Sequence, residues 1–314
     1  MILTITPNPA LDVTYHLPRA QWGEVNRVET VSETAGGKGV NVARVLHRLG
    51  EAVACTGFLG GDTGDRLRAL LSDVDQRWVL IPSPTRRTTA VVDADTTTLF
   101  NEPGPAVSES AWERLCALTA DAVGDGDVVT VSGSMPPGTG DEALASVVGA
   151  ARRRGARIVV DTSGPHLLAA ARAGATLLKP NHHELRAATG CDDLAAGAQR
   201  LLDEGAAGVV VSRAEAGMIA LVADSGRPQR TWQARPVELV HGNPTGAGDA
   251  AVAALARALH RNERPLPDIL AEQLADAVAL SAAAVARPVA GEVDLDMYAR
   301  TRASVVASPG LDQH

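Results

Sequence analysis

Short runs rich in β-branched residues alternate with Ala- and Leu-rich helical patterns along most of this chain, and no other feature limits its fold so strongly. Residues 2–6, 53–58, 128–132, 157–161, 176–178 and 209–212 read as buried strands, apolar on both faces. Helical patterns at 40–49, 142–154, 195–204 and 250–260 are interspersed with them. Such alternation builds βαβ units, because two parallel strands are joined only by a crossover long enough to hold a helix. The expected fold class is α/β, with a mainly parallel central sheet covered by helices on both faces. Aromatic residues make up only 3% of a chain that is 45% hydrophobic, so Ala, Val and Leu must fill the core.

Two stretches break the rhythm. Residues 12–33 and 88–101 carry Thr- and Val-rich strand signals with no helix between consecutive strands, and they are expected to form a small separate sheet, a lid over the edge of the main one. The sequence has no internal repeat and no low-complexity linker, so residues 1–314 are expected to form a single domain. The tail at 304–314 is expected to fray.

The formal net charge is −8 and no basic run exceeds Arg152-Arg153-Arg154, which argues against nucleic acid and acidic membranes as partners. An anionic ligand would need a local basic pocket. Cys55, Cys116 and Cys191 are odd in number and far apart, suiting neither a disulfide framework nor a zinc site. Residues 1–7 lack the basic start of a signal peptide and no apolar run is long enough to span a bilayer, so a cytoplasmic protein is expected.

The strongest single feature is Asn243-Pro244-Thr245-Gly246-Ala247-Gly248-Asp249, followed at once by a helical run. Glycines there let backbone N–H groups turn inward at a helix N-terminus, where the dipole favours negative charge. Gly246, Ala247 and Gly248 can thus form an anion hole for a transferring phosphoryl group. Asp249 would lie close enough to take a proton from an attacking hydroxyl. An ordinary Gly-rich turn with a helix-capping Asp fits the same letters.

A second cluster, Gly36-Gly37-Lys38-Gly39-Val40-Asn41, also opens a helix. It is not a P-loop, because Lys38 is not followed by Ser or Thr, nor a dinucleotide fingerprint, because Val42 stands where a third glycine belongs. What remains is a backbone that a hydroxylated ligand can approach closely, with Lys38 and Asn41 offering charge and hydrogen bonds. The third segment, Lys179-Pro180-Asn181-His182-His183-Glu184-Leu185, sets Asn181 and Glu184 three apart at a helix start. There they can hold a hydrated Mg²⁺ or simply cap the helix. His182 and His183 are expected at the surface, their rings pointing apart. The chain uses Arg freely yet has only two lysines, Lys38 and Lys179, and both fall in these segments.

In order and spacing, Thr6-Pro7-Asn8-Pro9-Ala10-Leu11-Asp12, residues 36–41, Asn101-Glu102-Pro103-Gly104, Ser132-Gly133-Ser134-Met135-Pro136-Pro137-Gly138, residues 179–185 and Thr245-Gly246-Ala247-Gly248-Asp249 resemble the motifs of the phosphofructokinase B family of carbohydrate kinases. The resemblance covers nearly the whole chain. It implies a ribokinase-like three-layer αβα fold with a β-sheet lid that often forms a dimer interface, and ATP and Mg²⁺ as cofactors. It also implies Asp249 as catalytic base, Gly246, Ala247 and Gly248 as the anion hole, and Asn181 with Glu184 near Mg²⁺. Asp12, Gly37, Lys38 and Asn41 would bind the sugar, and Lys179, Ser212, Gly217 and Thr245 the nucleotide.

The Gly-Gly-Lys-Gly form is similar to the branch acting on sugar phosphates, that of 1-phosphofructokinase and tagatose-6-phosphate kinase. This implies fructose 1-phosphate as first acceptor, then tagatose 6-phosphate or fructose 6-phosphate. A kinase of unphosphorylated sugars or nucleosides and a noncatalytic sugar-phosphate sensor are the further alternatives. In this setting Lys38 beside Arg86 and Ser134 would clamp the phosphate already on the sugar, with Arg27 added from the lid. The chain departs from the branch at Thr88 and Ala90, where Asn and Lys are usual, at Arg213-Ala214, where Leu-Gly is usual, and at Pro244.

Overall fold

The computed structural model describes residues 1–223 and 230–310. The first strands are β1 (Ile2–Thr6), β2 (Ala10–His16), β3 (Thr30–Gly36), β4 (Val53–Leu59), β5 (Asp75–Gln76), β6 (Val79–Leu80), β7 (Arg86–Val92) and β8 (Thr97–Asn101). They are followed by β9 (Val128–Ser132), β10 (Arg157–Asp161), β11 (Leu177–Leu178), β12 (Gly208–Ser212), β13 (Met218–Val222), β14 (Arg230–Ala234) and β15 (Ala307–Pro309). The helices are α1 (Lys38–Arg48), α2 (Gly61–Leu70), α3 (Glu109–Ala122), α4 (Asp141–Arg153), α5 (Pro165–Arg172), α6 (His182–Thr189), α7 (Leu194–Asp203), α8 (Ala247–Arg261), α9 (Leu266–Val285) and α10 (Leu295–Ser304).

The main sheet runs β15-β14-β13-β12-β11-β10-β9-β1-β4-β5, with β6 also on β4. Pairings from β12 through to β5 are parallel, and β13, β14 and β15 add an antiparallel edge. Side chains alternate across the strands, so Ile2 joins one core with Leu46, Leu255 and Leu280, while Leu3 and Ile5 join a second with Leu115, Val147 and Leu201. Each fully buried leucine contributes on the order of 2 kcal/mol from the apolar area it removes from water. The inner faces of α8 and α9 are lined by small residues such as Ala250, Ala253, Ala279 and Ala283, which lets the helices lie close to one another and explains how a core so poor in aromatics closes.

The tail does not fray as expected over its described part. Ala307 to Pro309 pair with β14, and the Gly310 amide donates to the Thr231 carbonyl. An open sheet edge offers ladder partners that outweigh the entropy of a free end. Residues 311–314 of that expectation lie outside the described residues.

A second sheet, ordered β3-β2-β7-β8, has β2 and β7 parallel and its other pairs antiparallel. It begins at Ala10 and Arg86, slightly before the stretches read from sequence, and β3 feeds straight into α1 through Gly37. The parallel crossovers bring the C-terminal ends of β1, β9, β10, β11 and β12 to one rim, where open α/β sheets bind ligands. Asn8, Ser134, Asp161, Lys179 and Ser212 all sit at or just beyond those ends. No helix among the described residues is long and apolar enough to cross a membrane.

Candidate active site

Helix α8 starts at Ala247, with Gly246 as its N-cap in the left-handed region at φ 89°. A Cβ on Gly246 would stand 3.0 Å from the Cα of Ala290, so only glycine fits this turn. Asp249 lies inside the first turn and no side chain caps the helix, which removes the simple capping alternative. The Asp249 side chain is buried and its Oδ2 accepts a hydrogen bond from Asn41 Nδ2 at 2.8 Å. Burial pushes its pKa up from 3.8 to about 6 and Asp161 adds to the rise, against the Asn41 hydrogen bond and the charges of Lys38 and Lys179. A carboxyl poised near neutrality suits a general base.

The Ala247 N–H donates to the Pro244 carbonyl at 3.2 Å, while the amides of Gly248 and Asp249 have no backbone acceptor among the described residues. Of the Gly246, Ala247 and Gly248 set read from sequence, only the Ala247 amide is thus engaged, while those of Gly246 and Gly248 have no backbone acceptor among the described residues. Pro244 is accommodated because it contributes only its carbonyl here. The Thr245 amide donates to Asn243 Oδ1 at 3.0 Å and Asn243 Nδ2 donates to the Pro288 carbonyl at 2.8 Å, which fix the loop. A Cβ on Gly248 would lie 3.5 Å from Lys179 Nζ, so the buried ammonium faces the same point.

Asn181 and Glu184 form a full capping box on α6. Asn181 Oδ1 accepts from the Glu184 amide and Glu184 Oε2 from the Asn181 amide, both at 2.8 Å. Glu184 Oε1 also reaches Lys38 Nζ at 3.4 Å, and Asp161 Oδ1 lies 3.3 Å from Lys38 Nζ and 3.6 Å from Lys179 Nζ. Burial disfavours the Lys38 charge, but Asp161, Glu184 and Asp249 outweigh it and raise its pKa above the ordinary lysine value. Asp161 is enclosed and its Oδ2 has no hydrogen-bond partner among the described residues. Sequence reading gave Asp161 no role; a carboxylate ending a buried strand gains meaning only once the fold sets that strand end on the ligand rim.

These groups line one pocket of about 790 Å³. From Asp249 and Lys179 it runs past Asn181 and Glu184 to Ser212 and Gly217, and its apolar walls include Val240, Val278 and Val285. Gly217 has φ 79° and a Cβ there would strike the Ala234 carbonyl oxygen at 2.1 Å. Ala214 has φ 50°, alone among described non-glycine residues in having a positive φ. His182 and His183 both border this pocket, His183 exposed as expected and His182 half-buried; contrary to expectation their rings do not point apart, with centroids 3.8 Å apart and planes tilted by 40°. At the first two positions of a helix no preceding turn blocks a side chain, so neighbouring rings can swing to the same side.

A second polar patch lies under the lid. Arg86 donates to the carbonyls of Asn8 and Glu102, both at 3.2 Å, and Asn8 Nδ2 reaches Ser134 Oγ at 3.4 Å. Asp12 has its pKa pushed up to about 6 by burial, opposed by a Thr88 hydrogen bond and by Arg86 and Arg44. A Cβ on Gly36 would fall 2.0 Å from Asp12 Oδ2, and one on Gly37 2.8 Å from Thr6 Cγ2. Ala90 sits on β7 opposite Thr14. Arg27 is exposed, and no hydrogen bond or ion pair holds it among the described residues. Lys38 is paired with Asp161 and Glu184, carboxylates of the large pocket, while Arg86 is held by the Asn8 and Glu102 carbonyls.

A sequence profile described as pfkB family carbohydrate kinase matches residues 8–295. The chain is 34% identical over 316 residues to 1-phosphofructokinase of Escherichia coli (strain K12), covering 98% of each. It superposes on phosphofructokinase-2 from Escherichia coli in complex with potassium at a TM-score of 0.87 and 30% identity, covering 96% of this chain and 98% of that one. The complex of that protein with fructose-6-phosphate gives a TM-score of 0.83 at 31% identity with the same coverage.

Proposed function

The chain belongs to the pfkB family of carbohydrate kinases, and from that premise we propose that it transfers the γ-phosphoryl group of ATP to a free hydroxyl of a ketohexose phosphate. Fructose 1-phosphate is the first acceptor, supported by the relative named 1-phosphofructokinase. Fructose 6-phosphate is the second, since a structural neighbour is a complex with that sugar; tagatose 6-phosphate comes next. The reaction belongs in the cytoplasm, where ATP and phosphorylated sugars are at hand.

One observation supports the assignment above the rest: a carboxyl with a pKa of about 6, buried against Asn41 beside two free helix amides. Asp249 accepts the proton of the attacking hydroxyl. The amides of Gly248 and Asp249, with Lys179 and Lys38, meet the charge that spreads over the transferring phosphoryl group. Lys38 thereby serves the transferred phosphoryl group instead of the phosphate already on the sugar.

Arg86, Asn8 and Ser134 hold the sugar phosphate and Asp12 a sugar hydroxyl. Burial lowers the Arg86 pKa against the pull of Asp12 and Glu102, so this guanidinium gains from an added anion. Ser212 and Gly217 border the nucleotide, with Thr245 in the loop before the anion hole.

The residues present fit a magnesium ion. Asp161 Oδ2 is buried without a partner among the described residues and Glu184 stands on the other side of Lys38, so these two would hold it. Asn181 Oδ1 is spent on the Glu184 amide and would act through water. When bound, the ion neutralises charge on the nucleotide phosphates.

The lid leaves Trp22, Val25, Leu99 and Phe100 exposed, which suits a homodimer interface. The assignment of the base is tested by Asp249→Asn. The variant should bind ADP as the wild type does while kcat falls by roughly 10²- to 10⁴-fold. Turnover close to the wild-type rate would contradict it.

A further inference from the structure

Two side chains of the nucleotide pocket have no part in the mechanism. His182 and His183 occupy the first turn of α6, between the phosphoryl-transfer end at Asp249 and Lys179 and the far end at Ser212 and Gly217. The sheet order β10-β11-β12 sets Asp161, Lys179 and Ser212 in turn along the rim, and α6 leaves β11, so its first turn opens between the Asp161 end and the Ser212 end. The ring centroids of the two histidines lie 3.8 Å apart with planes tilted by 40°, so the His183 ring packs against that of His182. His182 Nδ1 is enclosed and makes no hydrogen bond. The other ring nitrogen is not enclosed and has no hydrogen-bond partner among the described residues.

A buried N–H without an acceptor is rarer than a buried acceptor without a donor. The ring proton therefore belongs on Nε2, and the accessible nitrogen becomes a donor.

We propose that His182 binds the phosphates of the nucleoside di- or triphosphate through Nε2–H, seated against the His183 ring. This rests on the kinase assignment, and it adds an imidazole donor to the ammonium groups of Lys38 and Lys179.

The test is calorimetric titration of the full-length protein with adenosine, AMP and ADP, alongside the KM values for Mg-ATP and for the ketose phosphate. His182→Ala should weaken ADP by about tenfold or more, the usual value of a hydrogen bond to a charged group, and adenosine by less than about twofold. His182→Gln, which keeps a donor, should recover much of that loss, and His183→Ala should show a smaller one. The Mg-ATP KM should rise in His182→Ala while the acceptor KM stays in place.

Unchanged ADP binding in His182→Ala, or equal weakening of adenosine and ADP, overturns the assignment of His182 alone. A wild-type protein that binds none of the three ligands overturns the kinase assignment and this one with it.

Discussion

A carboxyl whose pKa rises from 3.8 to about 6 on folding costs stability whenever it is ionised. The sign follows from which form the fold prefers. The native state favours protonated Asp249, so no penalty exists below the unfolded value and the full penalty applies above about pH 6. Asp249→Asn should therefore melt higher than the wild type at about pH 7.5, by roughly 1–3 kcal/mol, and the gain should fade toward about pH 4. Thermal unfolding at the two pH values checks this, and a less stable Asn variant at the higher pH would contradict it. Wild-type turnover should fall as pH drops through about 6, where the base becomes protonated.

At this scale much of the site was legible. Asp249 was marked by its glycines, and the two lysines by their scarcity. Asp161 was not, because a lone strand-end carboxylate looks the same in sequence whether it meets solvent or two ammonium groups. The rings of His182 and His183 meet where they were expected to diverge, because the rule that adjacent side chains point apart holds inside a helix and fails at its first turn.

At the scale of elements, the lid meets the main body at Gly36 and Gly37, where β3 passes into α1. Gly36→Ala would drive a methyl into the Asp12 carboxylate. The acceptor KM should rise by about tenfold or more while the Mg-ATP KM holds, with a stability loss of roughly 1–3 kcal/mol. Equal changes in both KM values would mean that Asp12 does not face the sugar.

Across the pocket, the turn between β12 and β13 strains Ala214 at φ 50°. Ala214→Gly should stabilise the protein by about 0.5–1 kcal/mol, readable in a denaturant titration, because relief of the left-handed strain exceeds the entropy that glycine adds to the unfolded chain. A loss of stability would show that the turn is not strained.

The parallel strands were readable because burial on both faces makes their sequences uniformly apolar. The antiparallel edge was not, since β12 and β13 are joined without the α-helix that gave the pattern away and β15 has only three residues.

Across the whole molecule, the parallel crossovers assemble the large pocket from segments far apart in sequence, and the lid adds a separate patch around Arg86 and Asp12. The lid loop between β2 and β3 exposes Trp22 by 72% and Val25 by 87%, more apolar surface than an isolated lid should leave to water. Light scattering should find a dimer in the wild type and a monomer in Trp22→Glu/Val25→Glu, and an unchanged mass would place the interface elsewhere.

The most direct test of the central claim is coupled ADP release by the purified protein with Mg-ATP against fructose 1-phosphate, fructose 6-phosphate, tagatose 6-phosphate, fructose, ribose and adenosine. Strong turnover on a phosphorylated ketose, fructose 1-phosphate foremost, is the predicted result. Turnover confined to the unphosphorylated acceptors, or silence across the whole panel, would contradict it.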